Sequence, residues 1–87
     1  NIEPPNAFTP NENGINDTWE IENLSFYPDA IVKVYNRFGD LVFSSKGYDT
    51  PWDGKILGMR MPTAVYYYVI IIESIDQTYH GFVTTVK

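Results

Sequence analysis

Apolar residues in this chain fall in short runs rich in Val, Ile, Tyr, Phe and Thr, and each run is closed by Gly, Pro, Asn or Asp. No stretch repeats apolar residues at helical spacing over two or more turns, so the pattern is that of strands separated by turns. Six Pro and six Gly, spread through the sequence, also oppose long helices. Strands are predicted at about Asn6–Thr9, Thr18–Glu22, Ile31–Arg37, Asp40–Ser44, Val65–Ser74 and Thr78–Val86. A further short strand is expected near Ile2 or between Lys55 and Met61. About seven short, mainly antiparallel strands with turn signals between them specify an all-β, immunoglobulin-like β-sandwich.

Two hairpins stand out. Ile31–Tyr35 and Leu41–Phe43 flank Asn36-Arg37-Phe38-Gly39, and Gly39 falls where a type I turn with a bulge needs a left-handed residue. The second hairpin pairs Val65–Ser74 with Thr78–Val86 across Ile75-Asp76-Gln77. Its first arm is apolar on both faces from Val65 to Ile72, as expected of a central strand covered on one side by an opposing sheet and on the other by an aromatic layer or a partner. The other reading of that run is an exposed apolar interaction surface. Between the hairpins, Gly47–Gly54 is a long connection whose two aromatics, Tyr48 and Trp52, are expected to fold back on the sheet.

With 87 residues the chain makes one small domain over residues 1–87. A chain of this size buries only ~60–65% of the surface its unfolded form exposes. Seven Tyr, five Phe and two Trp offset this by offering large areas to the core. There is no Cys, so disulfides and thiolate metal sites are excluded. The net charge is −5, and the basic residues Lys33, Arg37, Lys46, Lys55, Arg60 and Lys87 are scattered. Nucleic-acid binding needs a basic stripe, and anionic lipid likewise selects for clustered cations, so neither partner fits. The run Val65–Ile72 is too short to cross a bilayer as a helix, and direct membrane insertion is not expected. Asn1–Pro5 has neither a basic start nor an apolar run, and so does not read as a signal peptide. A domain cut from a longer secreted protein would look like this, as would an intact cytosolic miniprotein.

Catalytic chemistry finds no foothold in the sequence. The sole histidine, His80, has no nucleophile or orienter at motif spacing, and the glycines are isolated instead of forming a phosphate loop. A pair of carboxylates would have to be chosen arbitrarily from Glu12, Asp17, Asp49 and Asp53. The chain is therefore read as non-enzymatic. Calcium is the one cofactor with a candidate site: Asn11, Asn13, Asn16 and Asp17 surround Gly14 and offer several oxygens. An Asx-turn network that orders this loop without metal is the simpler account, so no cofactor, or calcium bound only weakly, is expected.

Trp52-Asp53-Gly54 has two readings as well. Trp52 anchors the long connection on the sandwich while Asp53-Gly54 makes the following turn, or Trp52, Tyr48 and Phe38 form an exposed platform for a glycan or peptide. Arg37 is placed to stack on one of these rings.

Three punctuated segments, Pro10-Asn11-Glu12-Asn13-Gly14-Ile15-Asn16-Asp17, Asn36-Arg37-Phe38-Gly39 and Trp52-Asp53-Gly54, follow one another in an order that resembles the gliding motility-associated C-terminal domain. That family comprises the type B cargo-sorting domains of the type IX secretion system of gliding Bacteroidota, and the resemblance runs from about Pro5 to Lys87. In the family's usual first loop a Gly and an Asp stand where this chain has Glu12 and Asn13. The missing charge at Asn13 weakens any calcium site.

The resemblance implies a C-terminal sorting signal that takes a large surface or secreted protein through the periplasm to the cell surface or medium. Its partners would be translocon proteins, including a PorP/SprF-type outer-membrane protein, and the isolated domain would be a monomer. It further implies recognition through Asn36, Arg37, Phe38, Gly39, Trp52, Asp53 and Gly54, and through Gly81, Val83 and Lys87 of the last strand. That strand, Thr78–Lys87, is expected at a sheet edge where a receptor could add a strand. The alternative function is a carbohydrate-binding or adhesive β-sandwich using Tyr48, Trp52 and Phe38.

Overall fold

The computed structural model describes residues 2–10, 17–56, 59–60 and 63–86. Seven strands follow in order: β1 (Ala7–Phe8), β2 (Ile31–Tyr35), β3 (Leu41–Lys46), β4 (Lys55–Ile56), β5 (Met59–Arg60), β6 (Ala64–Ile72) and β7 (Gln77–Thr85). Single 3-10 turns at Leu24–Phe26 and Glu73–Ile75 are the only helical pieces among the described residues. The main sheet has the order β1-β7-β6-β2-β3, and β4 and β5 form a separate ribbon. Every pairing is antiparallel except that of β1 with β7. The result is the expected all-β, sandwich-like architecture.

β6 forms the centre because its residues from Val65 to Ile72 are all β-branched or aromatic, with nothing to end the strand before Glu73. It pairs with β2 from Ile31↔Ile71 to Tyr35↔Tyr67, and with β7 without interruption from Ala64↔Thr85 to Ile72↔Gln77. Strand alternation then sorts side chains between two faces. Tyr66, Tyr68, Ile70 and Ile72 of β6, Val32 and Val34 of β2 and Val83 of β7 are buried on the inner face. Each fully buried aliphatic side chain contributes about 1.5–3 kcal/mol relative to leaving it exposed.

The second layer departs from a regular sheet. Thr18–Glu22, expected as a strand, is not one; only Glu22 bridges, to Glu3. The alternation there is nonetheless that of a strand, with Trp19 and Ile21 buried between more exposed neighbours. What is missing is a partner: this segment faces the Gly47–Gly54 connection, and Trp19 N–H donates to the Trp52 carbonyl at 2.8 Å. The layer opposite the main sheet is thus built from irregular chain plus Ile56 of the β4–β5 ribbon, filled by Trp19, Leu24, Tyr48 and Trp52. The ribbon realises the extra strand expected between Lys55 and Met61.

Both aromatics of the long connection fold inward as expected. Trp52 sits among Phe8, Phe43 and Tyr66, with ring centroids at 5.6, 6.1 and 5.1 Å. The Tyr48 hydroxyl donates to the Trp19 carbonyl at 2.5 Å and accepts from Trp52 N–H at 3.0 Å. One phenol therefore joins the two irregular segments of the second layer and satisfies two buried backbone groups. Burial pushes this phenol above the ordinary tyrosine range, against the lowering effect of the Trp52 N–H bond, and the nearby Glu20 carboxylate adds to the rise.

Candidate functional surface

The outer face of the same strands carries the features that look outward. Register places Leu41, Tyr35, Tyr67 and Phe82 side by side across β3, β2, β6 and β7. The ring centroids of Tyr35 and Tyr67 lie 6.4 Å apart and those of Tyr67 and Phe82 5.5 Å apart, with His80 6.3 Å from Tyr67. Phe82 is 65% exposed, and Leu41 and Val65 are each 52% exposed. Among the described residues no second layer covers this face of β6. The side chains that would be buried by a second layer are an open row of aromatics, which corrects the expectation of a doubly covered strand and fits its interaction-surface reading.

The β2–β3 turn stands at one end of this row. Gly39 N–H donates to the Asn36 carbonyl at 3.0 Å, and Gly39 has φ +86°, so a left-handed residue closes the turn as expected. A register shift follows between Val34 and Tyr35. The Asn36 side chain fixes the loop from within, its Oδ1 accepting from Phe38 N–H at 2.9 Å and from Asp40 N–H at 3.0 Å. With the backbone so held, Phe38 projects outward at 74% exposure and the Arg37 guanidinium carbon lies 4.8 Å from its ring centroid. Arg37 lines two shallow grooves. One is bordered by Tyr35, Tyr67, Val69 and Phe82, the other by Phe38, Ile56, Val65 and Tyr66. An exposed cation between apolar grooves suits a partner that brings apolar side chains and a carboxylate.

The other predicted site residues separate from this surface. Trp52 is 2% exposed and acts as an anchor, unavailable to a partner in the folded domain. With Tyr48 also buried, the platform of Tyr48, Trp52 and Phe38 does not exist as a surface. Asp53 closes its turn by accepting from Lys55 N–H at 2.9 Å. Gly54 has φ +77° and is packed so closely on Pro10 that a Cβ would lie 2.9 Å from Pro10 Cγ. Gly81 lies beneath the Tyr68 ring and Val83 is fully buried, so both serve the inner face and neither is offered to a receptor. Lys87 and the loop residues Asn11, Asn13 and Asn16 lie outside the described residues. Asp17 is described and half-buried. Among the described residues no three His, Cys, Asp or Glu side chains cluster as a metal site would.

The last strand is also placed differently from the expectation. Its C-terminal end is not a sheet edge, because β1 pairs with it at Ala7↔Thr84 and Phe8↔Thr85. Thr84 N–H donates to the Asn6 carbonyl and Val86 N–H to that of Phe8, both at 2.9 Å. Sequence reasoning offered an exposed apolar surface on β6 only as its second reading and did not identify which residues of the neighbouring strands join it. Counting cross-strand partners outward from the two turns would have aligned Tyr35, Tyr67 and Phe82.

Comparison with known proteins gives this surface its context. Among curated proteins none matches the sequence. A solved structure of PorZ, described as an essential bacterial surface component of the type IX secretion system of Porphyromonas gingivalis, superposes with a TM-score of 0.59 at 15% identity. The match covers 100% of this chain and 11% of that one, and at this identity the likeness concerns the fold alone. The family model described as the CHU_C type IX secretion signal domain matches residues 2–85. That span includes every strand of the sheet, both anchoring tryptophans and the whole outer aromatic row, and the chain belongs to the type IX secretion signal domain family.

Proposed function

We propose that this domain is the export address of a longer protein, read in its folded state by a component of the type IX translocon, and that the reading surface is the outer aromatic row with Arg37 and Phe38 at its end. The family supports a sorting role and passage to the cell surface or medium. The observation that carries the finer reading is the set of aromatic side chains standing in register on the outer face of the central strands, with Phe82 at 65% exposure. Large aromatic and arginine side chains on a rigid frame are the usual anchors of protein–protein recognition. A PorP/SprF-type outer-membrane protein is the proposed reader. The domain itself acts as a monomeric, non-catalytic binding partner, and calcium, if bound through Asn11, Asn13, Asn16 and Asp17, is held too weakly to govern recognition.

The test is to fuse residues 1–87 to an inert reporter and follow it in a bacterium with and without a working type IX system. Export only in the competent strain is expected. Replacing Tyr67 and Phe82 together by Ser should abolish export while the purified domain stays folded, and export of that variant at the parent's rate would remove the outer row as the reading surface.

A further inference from the structure

The first part of β7 is a sheet edge with no strand beside it among the described residues. Thr84 N–H points at β1, and β7 pairs with β6 without a register shift along its whole length. Backbone groups of every second residue face the same way in a strand, so Thr78, His80 and Phe82 direct their N–H and C=O groups away from β6. Among the described residues no strand meets them there, because β1 pairs only with Thr84 and Thr85. The sequence fits this: Pro4, two residues before Asn6 and so turned toward β7, has no N–H with which to continue the ladder.

The two edges of the sheet differ in defence. β3 is made irregular by the register shift opposite Val34 and Tyr35, and it ends on exposed Lys46. β7 from Gln77 to Phe82 has no Lys, no Pro and no bulge, the devices that normally keep a sheet edge from pairing. Three donor–acceptor positions two residues apart, with no strand partner among the described residues, specify an occupant: a peptide segment in extended conformation.

We infer that the translocon component engages this domain by adding one of its own extended segments to β7 alongside Thr78, His80 and Phe82. The inference rests on the sorting role proposed above and names how that partner binds. The side-chain chemistry of the segment follows from its neighbours. Where it passes Phe82 it continues the row Leu41–Tyr35–Tyr67–Phe82 by one position, which calls for an apolar or aromatic residue. Near the start of β7 it meets the exposed carboxylates of Glu73 and Asp76, which call for a basic one.

The experiment uses the reporter fusion. His80→Pro removes the central outward N–H while leaving the bonds to β6, and proline is tolerated at an edge position of this kind. Its export should fall roughly tenfold, with a Tm near the parent's, and His80→Thr, which loses the ring but keeps the backbone donor, should be exported severalfold better than His80→Pro. If His80→Pro fails to fold, the double variant Thr78→Lys with His80→Lys serves instead, since edge lysines oppose strand pairing without touching the core. A folded variant of either kind exported at the parent's rate overturns the strand-addition inference and leaves the sorting role standing. Export of the parent fusion without a type IX system removes both. A dimer of the purified domain in analytical ultracentrifugation that His80→Pro dissolves would make a second copy the occupant, and would equally overturn the inference.

Discussion

The two faces of β6 are made from the same residue types and meet opposite fates. On the inner face Tyr66 and Tyr68, followed by Ile70 and Ile72, are buried, the two tyrosines against Trp52 and Trp19. On the outer face Val65, Tyr67, Val69 and Ile71 stand half-covered or exposed, and the rings nearest to Tyr67 are those of its strand neighbours. Hydrophobicity alone does not separate the two sets. The inner set is closed by irregular chain that crosses it at Trp19, Tyr48 and Trp52, while no described segment crosses the outer one. A sheet this small has material for one covering layer, and where that layer lies decides which aromatics make the core and which make a surface.

The comparison breaks most readily at Trp52. Trp52→Ala should cost about 3–5 kcal/mol in urea denaturation, because three rings lose their common neighbour and the connection loses its anchor. A cost below about 1 kcal/mol would mean that the second layer does not depend on this ring. Tyr48→Phe tests the same layer through a single oxygen. Losing the hydroxyl leaves the Trp19 carbonyl and Trp52 N–H without it and should cost about 1–3 kcal/mol.

Tyr48 also sets an alkaline limit. Its folded pKa is raised above the unfolded value of about 10, so its contribution to stability is complete below that value and is lost as pH rises through and beyond it. Tyr66 and Tyr68, likewise raised by burial, act in the same direction. Tyr48→Phe should therefore lose less stability than the parent on titration above pH ~10.

On the outer face the expected stability effects are smaller. Phe82→Ser removes one edge-to-face ring pair and should cost about 0.5–1.5 kcal/mol, yet reduce export markedly. A loss of stability as large as that of Trp52→Ala would show that the outer row is structural after all.

The smallest effect is expected at Asp29, which ties the turn before β2 to the 3-10 turn after β6. Its carboxylate accepts from Ser74 N–H at 3.0 Å and from Ser74 Oγ at 3.1 Å. The backbone bond from Ser74 is the main cause of its lowered pKa; slight desolvation opposes it, and the Ser74 hydroxyl and Lys46 assist. This contribution is present above the unfolded value of about 3.9 and is lost as pH falls through the folded value. Asp29→Asn should make the acid limb of the stability–pH curve slightly shallower.

Strand periodicity, turn chemistry and the aromatic content of the connection were legible in the sequence because each depends on local rules. The β2–β3 turn follows from Asn36 and Gly39, and the inward fold of Tyr48 and Trp52 follows from two large rings in a loop between strands. Thr18–Glu22 shows where local rules stop. Its alternation was that of a strand, but a ladder needs a second backbone in register, and no pattern within one segment reports whether its neighbour supplies one. The same holds for Gly81, set close against the ring of Tyr68, and for Val83, buried by the packing of the opposite layer.

The sequence by itself determined an all-β chain with two central hairpins, aromatic anchors and a set of punctuating motifs that point to its family. Only the tertiary structure decided which face of β6 is covered, and that the end of β7 is paired by β1 while its beginning is open. The physical reason is that side-chain alternation is written in one strand at a time, whereas burial and edge pairing depend on segments distant in sequence.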